Sequence, residues 1–152
     1  MTQTSKDKET NTKKGITKAN GEFDRDSIKK HGFKRFLNSW SYSMDGLKYA
    51  YRYEQSMLIH VLATIVVVAA NIFFKVTGMQ WLITMLAIGM VLASELINTA
   101  IEAVVDMVTL EIHPLAKIAK DCGSAATFVL SVMAAAIGFV VYIPYIIELF
   151  GK

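Results

Sequence analysis

The 152-residue sequence has a single cysteine, Cys122, which excludes an intramolecular disulfide and leaves no zinc-ligand motif. Its nine glycines nowhere give the phosphate-loop spacing that ends in Gly-Lys-Ser/Thr. A Gly-rich kinase loop and a His-Arg-Asp set are missing as well. No secretory signal fits, because the first apolar run begins only near Met57 and is too long for a signal core. Charge is scarce beyond that point. Formal net charge is +3, yet twelve of the sixteen Lys and Arg precede Met57, giving that segment +5 and the remainder −2. This polarity is topological information and needs no nucleic acid to explain it.

What is present is apolar. At 53% hydrophobic content and mean hydropathy +0.38, the chain reads as a single domain of the membrane class. Residues 1–31 are polar with almost nothing to bury and read as a disordered tail, leaving 32–152 as one membrane domain. Over 33–52, Phe33, Phe36, Leu37, Trp40, Met44, Leu47 and Tyr51 follow helical spacing, with Lys34, Arg35, Lys48 and Arg52 on the other face. A basic amphipathic helix with several aromatics is expected to lie in the membrane interface. Three spans follow, over about 57–74, 81–108 and 125–147, the last two joined by a polar connection from Thr109 to Gly123. The expected architecture is therefore an all-α membrane protein, with a surface helix ahead of three transmembrane helices. Basic residues in the N-terminal segment and in the second connection place both on the cytoplasmic side. The C-terminus is then expected outside.

The most informative stretch is SELINTAIEAVVD, Ser94 to Asp106. At 100° per residue, Glu95, Asn98, Glu102 and Asp106 fall within an arc of roughly 80°. Three carboxylates and an amide thus line one face of an otherwise apolar helix. An acid at the centre of a membrane helix costs about 2.5–3.5 kcal/mol on insertion scales, which makes such a stripe a functional-site hypothesis. Glu54 stands at the mouth of the first span, and Glu111, His113, Lys117, Lys120 and Asp121 border the same face from the second connection. Carboxylates, lysines and an imidazole at a water–lipid boundary suit metal-bound polyphosphate, since Mg²⁺ is commonly held by one or two carboxylates together with substrate phosphates. From the residues alone, acids used for ion coupling or for packing between subunits of a non-enzymatic membrane protein fit equally well.

The run SELINTAIEAVVD, with EIHPLAKIAKDCGSAAT after it (Glu111 to Thr127), resembles the small prokaryotic diacylglycerol kinase and undecaprenol kinase family. The resemblance extends from about Phe33 through the third span. It implies a bacterial plasma-membrane homotrimer whose active sites are shared between protomers and use MgATP to phosphorylate a lipid hydroxyl. Carried over by position, Glu95 matches the catalytic carboxylate and general base, and Glu54 and Glu102 the metal-binding pair. Arg35, Tyr42, Glu111, His113, Lys120 and Asp121 match nucleotide-contacting positions. Asn98 and Ser124 match polar residues beside the reaction centre, and Asp106 a site-lining acid. Two departures stand out. Gln55-Ser56-Met57-Leu58 follows Tyr53-Glu54, where related kinases commonly have Asn before the Glu and a basic residue at the Leu58 position. HPLAKIAKD resembles the undecaprenol branch and CGSAA the diacylglycerol branch, and undecaprenol is the expected acceptor.

Overall fold

A computed structural model of the chain describes residues 33–151, with side chains from Phe36 onward; the expected tail over 1–31 lies outside the described residues. The described residues divide into two units between Asp45 and Gly46. Four helices account for nearly all of them: α1 (Phe33–Tyr53), α2 (Gln55–Phe73), α3 (Gly78–Val108) and α4 (Pro114–Phe150). No strand occurs among the described residues.

Helix α1 begins in the first unit and ends in the second. In the first unit Phe36, Leu37 and Trp40 are exposed. In the second, Tyr49 and Tyr53 stack at 4.8 Å between ring centroids, and the Arg52 guanidinium lies 5.9 Å from the Tyr53 ring. The cation also sits in the last turn, where it meets the negative end of the helix dipole. The helix stops at Glu54, whose backbone is extended (φ −103°, ψ 112°).

Helices α2, α3 and α4 are each long and apolar enough to cross a membrane. The 19 residues of α2 rise about 28 Å, close to the hydrocarbon thickness. It ends in a Schellman turn, with Val76 N–H donating to Asn71 C=O at 3.2 Å and Lys75 N–H to Ile72 C=O at 3.3 Å. Lys75 takes the left-handed position at φ 51°. Thr77 then caps α3 through a reciprocal box: Gln80 N–H donates to its hydroxyl at 3.3 Å, and its own N–H donates to Gln80 Oε1 at 2.8 Å. The sharp turn sets α2 and α3 side by side.

The second connection is shorter than expected. Pro114 opens α4 at a first-turn position that needs no N–H, so Lys117, Lys120 and Asp121 stand on helical turns and not in a loop. The apolar run that starts near Ala125 is the continuation of this longer helix.

Burial in the second unit is inverted relative to a water-soluble bundle. The buried set includes Asn71, Thr84, Ser94, Glu95, Asn98, Thr99 and Thr127, whereas Leu62, Ile65, Val66, Leu86 and Phe139 are exposed. Small and polar residues let membrane helices approach closely, and apolar ones meet lipid or other subunits. One close approach is at Gly123, where an added Cβ would stand 2.5 Å from Asn98 Oδ1.

Candidate active site

Glu95, Asn98, Glu102 and Asp106 all lie on α3, in graded environments. Glu95 is only 2% exposed, Asn98 is buried, Glu102 is half-buried and Asp106 is exposed. The side chains of α2 reach the deepest acid. The Ser56 hydroxyl donates to Glu95 Oε1, and His60 Nε2 lies 3.8 Å from Oε2. One turn on, Asn98 Nδ2 donates to Glu102 Oε1 at 3.0 Å, leaving Asn98 Oδ1 buried with no protein partner. The amide's orientation follows from Glu102, which can only accept.

Glu54 belongs to this cluster through the break between α1 and α2. Although it occupies the N-cap position of α2, its side chain makes no capping bond. Its carboxyl is held above the ordinary carboxylate range, first by partial burial and then by the negative charges of Glu102 and Glu95. Three acids close enough to repel one another are a ready partner for cationic charge. Among the described residues, no three His, Cys, Asp or Glu side chains form a metal cage. A two-carboxylate donor set still fits Mg²⁺, which takes its remaining oxygens from phosphates and water. The orphaned Asn98 oxygen is turned away from that set, towards Gly123 on α4.

The other predicted residues collect around a second feature, a cavity of about 310 Å³ where α3 hands over to α4. Asp106, Glu111, His113, Lys117, Lys120 and Asp121 line it. Lys120 Nζ pairs with Asp106 Oδ1 at 2.6 Å, and Lys117 pairs with Asp121 one turn along α4. His113 also has a local duty, its Nδ1 accepting from Leu115 N–H at 3.3 Å as the cap of α4. Ser124 is exposed on α4. Arg35 and Tyr42 belong to the first unit; Tyr42 is exposed, and the Arg35 side chain lies outside the described residues. Sequence reasoning missed Ser56 and His60 as site residues. They sit two and six positions beyond Glu54, one helical turn apart on α2, but nothing within α2 marks that face as the one turned to Glu95.

Fold and site together define a polytopic helical membrane protein with a carboxylate cluster and an adjoining cation-bearing cavity at one end. The family profile described as prokaryotic diacylglycerol kinase matches residues 41–142. The undecaprenol kinase of Bacillus subtilis is 34% identical over 110 residues, covering 72% of this chain and 89% of the relative. The diacylglycerol kinase of Pseudomonas aeruginosa is 42% identical over 98 residues (64% and 80%), and that of Helicobacter pylori strain 26695 is 40% identical over 102 residues (66% and 79%). This chain belongs to the prokaryotic diacylglycerol kinase family.

Proposed function

We propose that the chain transfers the γ-phosphoryl group of ATP to the hydroxyl of a membrane lipid at the cytoplasmic interface, with undecaprenol preferred to diacylglycerol. The observation that carries this reading is a buried, acceptor-rich Glu95 beside the mutually repelling Glu54 and Glu102, in a chain of this family. Family membership favours it over ion coupling or packing.

Glu95 takes the proton of the lipid hydroxyl as its oxygen forms a bond to the γ-phosphorus and the bond from that phosphorus to ADP breaks. Glu54 and Glu102 would hold Mg²⁺, which when bound neutralises phosphate charge. Lys120 leaves Asp106 to meet phosphate oxygens, and Arg35, Tyr42, Glu111, His113 and Asp121 contact the nucleotide. Asn98 and Ser124 flank the transfer. Little covalent work falls to the protein in such a reaction, so orientation and charge neutralisation supply most of the catalysis.

An only half-buried Glu102 supports assembly that covers the site with neighbouring protomers, and the family resemblance supplies the number, a homotrimer. The charge asymmetry supports a cytoplasmic N-terminus and an outside C-terminus. Cross-linking in native membranes that saturates at dimers overturns the trimer, and a probe in the turn at Lys75–Gln80 that reacts only from the cytoplasm overturns the topology.

The activity test is reconstituted protein with γ-labelled ATP and each lipid at equal mole fraction. Label is expected in undecaprenol faster than in diacylglycerol. Absence of label from both lipids refutes the kinase reading, and a tenfold preference for diacylglycerol reverses the order of acceptors.

A further inference from the structure

The acid at the centre of the site is held from outside its own helix. Glu95 offers two carboxylate oxygens, and α2 places one partner against each: the Ser56 hydroxyl on Oε1 and the His60 ring beside Oε2. The two partners are one helical turn apart, so a single rotation of α2 sets both. Nothing on α3 does this. Thr99 donates to the Glu95 backbone carbonyl at 3.0 Å, and Ser94 to that of Val91 at 2.8 Å, so neither hydroxyl reaches the carboxylate. A Glu side chain has three rotatable bonds, and a buried one without external partners is poorly oriented. His60 also borders a mainly apolar cavity of about 240 Å³ between α2, α3 and α4.

We infer that Ser56 and His60 are positioning residues for the reaction proposed above, fixing the Glu95 carboxylate so that a lone pair faces the incoming hydroxyl. The inference rests on Glu95 acting as the base. Ser56 contributes a hydrogen bond to the carboxylate, and the His60 ring beside Oε2 restricts its rotation. Both act on turnover through Glu95.

The test is a mutant cycle in reconstituted protein, reading kcat and KM for MgATP and lipid, with thermal unfolding as a check on folding. Ser56→Ala is expected to lower kcat about tenfold, the range for losing a hydrogen bond to a charged group, with both KM values held within about twofold. His60→Ala is expected to lower kcat by a similar factor. Ser56→Thr, which keeps the hydroxyl, restores most of the loss. In a Glu95→Gln background, removing Ser56 or His60 changes the residual rate by less than about twofold, because partners of one group are not additive. A purely structural role would instead lower the unfolding temperature and carry equal losses into the Glu95→Gln background; that result overturns the inference, as does an unchanged kcat in both single variants. If Glu95→Gln itself turns over normally, the base assignment has failed. A kcat loss confined to backgrounds that retain Glu95 supports both.

Discussion

The two ends of the α2–α3–α4 bundle are built from similar polar residues and treat them in opposite ways. At the turn end, Asn71 is fully buried and satisfied: its Nδ2 donates to Thr84 Oγ1 at 2.8 Å, and its Oδ1 accepts from Tyr142 at 2.7 Å. Tyr145 donates to Gln80 Oε1 at 2.7 Å, and Phe74 packs against both tyrosine rings. Every helix of the bundle is pinned there. At the other end, Asn98 keeps an unpartnered oxygen, and the negative charges of Glu102 and Glu95 bear on Glu54. A satisfied buried network adds stability, and an under-satisfied one costs it. On the proposed reading, the acid end is the part of this membrane lipid kinase where stability is given up for chemistry, and the clasp at the turn end offsets it.

The comparison breaks if the two ends exchange effects. The largest expected effect is on Glu95→Gln, which should lower kcat by about 10²–10⁴-fold with MgATP affinity nearly unchanged, since base assistance is felt only as the hydroxyl loses its proton. Single-turnover rates alongside nucleotide binding check it; loss of MgATP binding in this variant would assign it to the metal pair instead. Glu102→Gln and Glu54→Gln should weaken MgATP binding about tenfold or more, with part of the activity recovered at higher Mg²⁺.

These two variants also sharpen the contrast. The Glu54 carboxyl is held above its ordinary range, so the folded protein binds that proton more tightly than the unfolded chain does. Its ionisation therefore lowers stability as pH rises through the raised pKa. A neutral Gln removes that cost, and the unfolding temperature of nucleotide-free protein near neutral pH should rise slightly in Glu54→Gln. A fall would mean that the acids stabilise the fold.

At the clasp the signs reverse. Asn71→Ala should lower stability by about 1–2 kcal/mol, the upper part of the range for polar contacts between membrane helices, while kcat at low temperature stays unchanged. A kcat loss without a stability loss would connect the clasp to catalysis. The smallest effect is expected at Lys75→Gly, where glycine relieves a left-handed backbone outside both polar networks. The gain in chemical-denaturant unfolding should be about 0.5–1 kcal/mol.

The membrane class, a helix over 33–52, the three apolar runs and the common face of Glu95, Asn98, Glu102 and Asp106 were all readable along the chain. Each depends on residue chemistry summed over a window or repeated at 3.6 residues, and both are local quantities. The start of α4 was misplaced for the same reason: hydropathy marks the apolar run from Ala125, but the backbone had already become helical at Pro114. Partners across the bundle had no such signal. Ser56 meets Glu95 over 39 residues, Lys120 meets Asp106 over 14, and Tyr142 meets Asn71 over 71. Which of these pairs form depends on how each helix is rotated and how far it slides against its neighbour. That register is set by close approaches such as Gly123 on Asn98 and by the tight turn at Lys75, and periodicity within one helix carries no information about either.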